Sequence, residues 1–377
     1  MERSSYLKTA ALLLPAMLMC QFSGAQHRGA EVLAGAESPR PGPRLQINNW
    51  HGLHQKVGHK GHAQNDFNLI GNVAGFAELD TLTYSLNGTA PVGLNIGLGK
   101  FGDDRRLAAA GDFNADIPVS LLREGRNSIV VKAKGPRGHE TSVTVYVEKL
   151  EGTYPLPVLI KWTDVGDPQN VGQYVDGKWA IEEGGLRTLQ TGYDRVFLIG
   201  DTTWQDYEVS VPFTVHRVDT ETGPVSGGNG LGLLMRFTGH VNGGPGNFPT
   251  GQPKWGYQPF GCIGFLRWEK NEPDGEAFKQ FYRGDKNHIE NYGTIAIKPG
   301  NVYHMRMRCV TLPDEGVEGV TRYSWKIWQE GETETSAWDW EVVQKSEHAL
   351  RNGGLVLLAH HVDISFGNVT VEVIGEK

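Results

Sequence analysis

Cysteine is scarce in this chain, three among 377 residues, so it is not a small scaffold stapled by disulfides. Basic charge is short as well. Thirty-six lysines and arginines stand against 43 aspartates and glutamates, a formal net charge of −7. That balance excludes the broad cationic surface that nucleic acid requires. No apolar run approaches the ~20 residues that span a bilayer, so no transmembrane segment is expected. Helical periodicity is missing, and no P-loop, G-x-S-x-G elbow or H-E-x-x-H occurs. Residues 97–102 (GLGKFG) satisfy G-x-G-x-x-G. No helix follows them and their surroundings read as hairpins, which excludes a dinucleotide site.

What is present begins with an export signal. Arg3 and Lys8 flank a short apolar stretch at 10–19, and Ser23-Gly24-Ala25 supplies the small residues of a cleavage site. Cleavage after Ala25 leaves Gln26 first and a secreted or periplasmic protein. The mature chain carries 34 basic against 42 acidic residues, because Arg3, Lys8 and Glu2 leave with the signal. Lipidation at Cys20 is disfavoured, since Leu18 and Met19 stand where a lipobox needs small residues. Cys262 and Cys309 fall in strand-like runs, with a buried disulfide and two buried thiols as open alternatives.

Residues 26–44 are rich in Gly, Ala, Pro and Glu and read as a flexible leader. From 45 to 149 short alternating runs are broken by turns, the strongest at Asn87-Gly88 after the alternating 82–86. Residues 150–157 (LEGTYPLP) read as a stiff linker. Beyond it the composition shifts: nine of ten tryptophans lie after residue 150. Strand-like runs follow at 207–215, 231–238, 262–268, 277–282, 302–310, 322–328, 354–361 and 363–373. Eight or more strands with Gly-rich turns indicate a two-sheet sandwich over 158–377.

Two resemblances sharpen this. The run 121–148 (LLREGRNSIVVKAKGPRGHETSVTVYVE) resembles the last strands of bacterial immunoglobulin-like or fibronectin-like repeats, with a leucine and a G-x-N corner before an apolar strand. The run 353–374 (GGLVLLAHHVDISFGNVTVEVI) resembles the closing strands of the concanavalin-A-like lectin/glucanase superfamily, including laminin-G-like domains and keto-disaccharide-hydrolase-type jelly rolls. Asp206-Tyr207-Glu208-Val209-Ser210-Val211 resembles an early strand of the same families. The fold class so implied is all-β, an immunoglobulin-like sandwich followed by a concanavalin-A-like jelly roll. The resemblance implies glycan as the partner.

The hydrolase signature of that superfamily is missing from the strand-like runs. The spelling E-x-D-x-E occurs at 272–276 (EPDGE), where Pro273 and Gly275 mark a turn, and Asp339 and Glu341 also read as a surface turn. The Gln-x-His of jelly-roll lyases is also absent. Alternation instead puts Arg236, Arg267, His304, Arg306 and Arg308 on outward faces, with Glu269 beside Arg267. If those faces line one concave sheet, they form a cationic floor suited to an acidic glycan. The alternative is a solvated face of local ion pairs. The long loop 237–260 brings His240, Trp255 and Tyr257, whose rings would stack on sugar faces. His360-His361-Val362-Asp363 offers a base or a structural histidine.

His51, His54, His59 and His62 lack interleaved Cys or carboxylate ligands, and no metal is assigned to them. The loop 219–230 has oxygens for Ca2+, the one cofactor considered. The expected function is carbohydrate recognition. One alternative is a polysaccharide-cleaving hydrolase or lyase drawing on Glu269, His240, His304 or His361. The other is a surface adhesion protein.

Overall fold

The computed structural model describes residues 44–98, 105–243, 251–256, 260–270, 272–284, 288–313, 320–345 and 350–375. The signal sequence, Cys20 and nearly all of the leader lie outside the described residues, as does most of the G-x-G-x-x-G run.

Two sheets form the first sandwich. Three strands run in the order Gln46–Asn49, Asp66–Ala74, Asp112–Pro118. Five face them: His54–Val57, Glu140–Lys149, Gly125–Lys134, Thr81–Leu86 and Val92–Leu94. His54–Val57 lies parallel to its neighbour and the other pairs are antiparallel. Alternation fixes which side is buried: Ile129, Val131 and Ala133 meet Val145, Val147, Leu69, Phe113 and Ile117 in the core. The Asn-Gly turn has the positive φ it needs, 49° at Asn87 and 79° at Gly88. Asn127 of the G-x-N corner accepts from Arg123 N and from Asn87 Nδ2, locking the two turns together.

In the three-stranded sheet, Asp66–Ala74 and Asp112–Pro118 are buried on both faces. Its inner face is apolar; its outer face carries Asp66, Asn68, Asp112, Asn114 and Asp116, none more than 3% exposed. These polar residues pack against the larger sandwich, and residues 41–377 form one compact unit. The stretch 150–157 is likewise bound rather than free. Leu150 N and Gly152 N donate to Val57 O and Gly58 O, and Tyr154 packs on Trp204 while its carbonyl accepts the indole N–H.

The larger sandwich stacks a seven-stranded on a nine-stranded sheet. The first has the order Gln173–Asp176, Arg195–Ile199, Gly354–His360, Asn229–Phe237, Cys262–Glu269, Glu272–Arg283, His288–Ile295. The second runs Trp179–Glu182, Gly185–Thr188, Val362–Phe366, Tyr207–Val218, Val302–Thr311, Thr321–Gln329, Trp340–Gln344, with Val369–Val373 and Val158–Ile160 added beside Tyr207–Val218. Every pairing in both sheets is antiparallel, and the chain crosses between them repeatedly, as a jelly roll does. Trp162, Trp179, Trp204, Trp268, Trp325 and Trp340 are buried among its aliphatic residues. Cys262 and Cys309 are buried and not joined in a disulfide, which settles the choice left open by the sequence. Among the described residues no helix is long and apolar enough to cross a membrane.

Candidate functional site

Strand Val302–Thr311 alternates as its sequence requires. Tyr303, Met305, Met307 and Cys309 face the core, and His304, Arg306 and Arg308 face outward from the nine-stranded sheet. On one side their register partners are Pro212, Ser210 and Glu208; on the other, Trp328, Lys326 and Ser324. Arg306 opposite Lys326 places two cations side by side, which would repel alone. The segment 330–339 turns back over the sheet and resolves this. Glu334 accepts from Arg306 at 2.9 Å and from Lys326 at 2.7 Å, and Lys326 Nζ also donates to Thr335 O. Glu208 takes Arg308 at 2.8 Å through Nε. His304 is bonded to Glu330 and stacks on Trp328 with ring centroids 5.1 Å apart.

The same turn carries Trp338 over this ladder, with its ring 4.8 Å from the Arg308 guanidinium carbon and 5.0 Å from Lys326 Nζ. Arg306 and Lys326 each lie 6.0 Å from the Trp328 ring. Trp328 and Trp338 are half-buried, while the six tryptophans of the core are not exposed. An indole left partly in water is costly, and two of them share one face here. Cations lie within 6.0 Å of both ring centroids, with guanidinium donors and carboxylate acceptors alongside. Apolar ring faces beside fixed polar groups are what a polyhydroxylated ligand needs, as its C–H edges stack and its hydroxyls bond. The permanent cations Arg306, Arg308 and Lys326 are paired with Glu208 and Glu334, and Glu330 takes His304, three cations and three carboxylates in all. The face is therefore balanced rather than cationic.

Several expected site residues lie elsewhere. Arg236 is fully buried. The ladder bonds shift register between Met235 and Phe237, and Arg236 takes φ 57°. A bulge of this kind flips the faces that follow. Phe237 moves to the outer side, and Arg236 turns inward to Thr321 Oγ1 (2.6 Å), Asp206 Oδ1 (2.8 Å), Thr311 Oγ1 and Leu350 O. Arg267 is on the seven-stranded sheet, on the opposite side of the sandwich from Arg306, and lies over Phe265. The five residues thus do not form one floor. Glu269 is exposed at the end of its strand. His361 is buried at φ 55° with Nδ1 2.8 Å from Thr222 Oγ1, and burial beside His360 and Arg195 lowers its pKa to about 3. Asp339 accepts from Ile327 N and Glu341 from Ser324 Oγ, so neither is free to act as a pair. Trp255 sits on the short strand Lys254–Gly256; its side chain and Tyr257 lie outside the described residues.

His240 belongs to a second polar assembly, at the junction of the two sandwiches. Arg106 is 3% exposed and uses all five donors. It meets both oxygens of Asp116 at 2.9 Å, Asp176 Oδ1 at 2.5 Å, Lys254 O at 2.6 Å and Val175 O at 3.3 Å. Asn114 and the His240 ring complete Asp176, and Asn68 completes Asp116. Burial opposes the charge of Asp116, but Arg106 outweighs it and holds the carboxyl below its ordinary range. A cleft of about 430 Å³ opens beside this assembly, lined by His62, Gln64, Asp66, Ser120, Lys149 and Lys254. Lys254 Nζ spans both oxygens of Asp66, at 2.9 and 2.7 Å.

The four N-terminal histidines do not converge. His51 stacks on Tyr174 and bonds Gly177 O, His54 stacks on Tyr146, and His62 reaches Glu151. In the loop 219–230, Asp219 accepts from Glu221 N, Thr222 N, Thr222 Oγ1 and Thr191 Oγ1, so both its oxygens serve the turn. Among the described residues no group of three His, Cys, Asp or Glu side chains is placed to hold a metal.

Sequence reasoning placed His304, Arg306 and Arg308 together on an outward face, as the strand has them, and did not put Trp328, Trp338, Lys326, Glu208 and Glu334 beside them. Trp328 and Lys326 share parity in their run, which is the signal that was there to read. No family model and no curated protein sequence matches the chain. Solved structures that resemble it include alginate lyase Aly36B, at 15% identity over 59% of this chain and 99% of that one, TM-score 0.39. The exoplasmic/lumenal domain of VIP36 in its Ca2+/Man3GlcNAc-bound form is 12% identical over 56% and 88%, TM-score 0.37. A galectin-like-fold protein of unknown function from Bacillus subtilis is 10% identical over 55% and 88%, TM-score 0.31. Likenesses this distant carry no argument about chemistry.

Proposed function

We propose that this is an exported carbohydrate-recognising protein, in which an immunoglobulin-like module is fixed to a jelly roll that binds polysaccharide on the outer face of its nine-stranded sheet. The observation that carries the reading is the pair Trp328 and Trp338, half-buried on one face and each seated on cations. Their rings would stack on sugar faces, with Arg306, Arg308 and His304 bonding hydroxyls at the margin. Because the cations there are matched by carboxylates, the ligand is a neutral glycan rather than an acidic one. The catalytic alternative has less support: Glu269, His240, His304 and His361 occupy four separate places.

Affinity electrophoresis in native gels containing xylan, laminarin, mixed-linkage β-glucan, galactomannan or alginate tests this. At least one neutral polymer should retard the wild type, and Trp328→Ala and Trp338→Ala should each restore free mobility. Retardation by alginate alone, or unaltered retardation of both variants, would reject the proposal. Release of reducing ends or unsaturated products during incubation would move the protein to the enzymes.

A further inference from the structure

We infer that the ligand of this face is an extended internal stretch of polysaccharide, crossing the strands from the two indoles to a second polar cleft, and not a mono- or disaccharide or a chain end. The inference rests on the carbohydrate reading and adds to it the length and direction of the ligand.

The second cleft encloses about 240 Å³ at the other side of the same sheet face and is lined by Glu182, Arg187, Gln190, Thr191, Arg217 and Asp363, among others. Arg187 is its centre. Nε and Nη2 span the two oxygens of Asp363 at 2.9 and 3.0 Å, and Nη1 meets Glu182 at 3.0 Å. The guanidinium and both carboxylates are thereby held rigid, with oxygen lone pairs still open to hydroxyl donors. Preorganised planar groups of this kind bind hydroxyls without an ordering cost. Arg217, the register partner of Asp363, is exposed beside them.

Arg187, Asp363 and the ladder residues have the same outward parity, because Leu186, Ile364, Val211 and Met305 between them point into the core. The strand order gives the separation. From Gly185–Thr188 the sheet passes through Val362–Phe366, Tyr207–Val218 and Val302–Thr311 to Thr321–Gln329. Four steps of roughly 4.8 Å make about 19 Å, near one sugar ring per strand and so roughly four or five rings. Between them Ser365, Thr214, Pro212 and Ser210 face outward, with His216 bonded to Ser365 Oγ and the exposed Val302 opposite Thr214. A linear chain can lie there with one end hydrogen-bonded in the cleft and the other stacked on Trp328 and Trp338.

The test uses the full chain and whichever neutral polymer retards it. The hexasaccharide and disaccharide of that polymer (xylohexaose and xylobiose for xylan, laminarihexaose and laminaribiose for laminarin) then compete for retardation. The hexasaccharide should compete at least tenfold better. Arg217→Ala, at an exposed position, and Arg187→Met should each weaken retardation severalfold with the melting temperature of Arg217→Ala unchanged. Equal competition by the disaccharide, or full retardation of Arg217→Ala and Arg187→Met while Trp338→Ala loses it, overturns the lane and leaves the indole site standing. If Trp338→Ala also binds fully, or no polymer retards the wild type, both readings fall.

Discussion

Replacing Arg106 by alanine should unfold the junction between the sandwiches and destabilise the whole protein. The guanidinium is buried, its five donors are all used, and its two carboxylate partners have side chains no more than 1% exposed. Removing it strands Asp116 and Asp176 without their cation, and breaking a buried pair this way costs about 3–5 kcal/mol. Against a total stability of about 5–15 kcal/mol that is a large fraction. At roughly 2 °C per kcal/mol for a chain of this size, the melting temperature should fall by about 6–10 °C. Differential scanning calorimetry measures it. The wild type should give one endotherm, because the network ties both sandwiches together, and Arg106→Ala should lower or split it. Adding Asp116→Asn and Asp176→Asn to Arg106→Ala removes the stranded charges and should recover part of the loss. A shift within about 1 °C for Arg106→Ala, or no recovery in the triple variant, would refute the claim that this arginine holds the junction.

Three further outcomes are expected. Arg236→Ala should cost about 1–3 kcal/mol in urea unfolding, since the buried guanidinium bonds Thr321, Thr311 and Leu350 O and its partner Asp206 is one-third exposed, while the folded fraction keeps its glycan retention; lost retention at unchanged stability would return Arg236 to the site. His361 is held neutral, its pKa lowered to about 3 from 6.5 by burial and then by His360 and Arg195. Below pH 6.5 the unfolded chain takes up a proton that the folded chain refuses, so stability present above 6.5 is lost as pH falls, by about 1.4 kcal/mol per unit well inside the window. His361→Asn, which tolerates the positive φ, should flatten the wild-type slope between pH 6 and 4 by about one proton; an unchanged slope would disprove the assignment. Cys262 and Cys309 should resist alkylation until denaturant unfolds the chain, and dithiothreitol should leave the melting temperature alone, as buried cysteines outside any disulfide require.

The strand pattern was legible because alternation and turn chemistry act locally. Asn87-Gly88, the corner at Asn127, and the 303/305/307/309 parity all took the places that their sequences dictate. Arg236 was misplaced because a one-residue bulge reverses every face after it, and nothing in Leu-Met-Arg-Phe marks the bulge. The junction was missed for another reason. Strands 66–74 and 112–118 alternate apolar residues with Asp and Asn, and an outward Asn reads as solvated. Yet Asp and Asn are poor strand formers, and two neighbouring strands bearing them at 66, 68 and 72 and at 112, 114 and 116 signal a buried polar interface. The pairing of Arg306 and Lys326 with Glu334 depends on the turn 330–339 folding back over the sheet, which no local pattern encodes, while Glu208 meets Arg308 as its neighbour across the strand pair.

Acrylamide quenching of tryptophan fluorescence, with and without the retarding polysaccharide, tests most directly whether the sheet face is the sugar site. Six described indoles are buried and Trp50 is half-buried elsewhere, so the quenched component that Trp328→Phe, Trp338→Phe removes belongs to these two. Polysaccharide should shield that component in the wild type, and the shielding should vanish in a Trp328→Phe, Trp338→Phe double variant. Polysaccharide bound at saturation with both indoles still fully quenched would contradict the assignment.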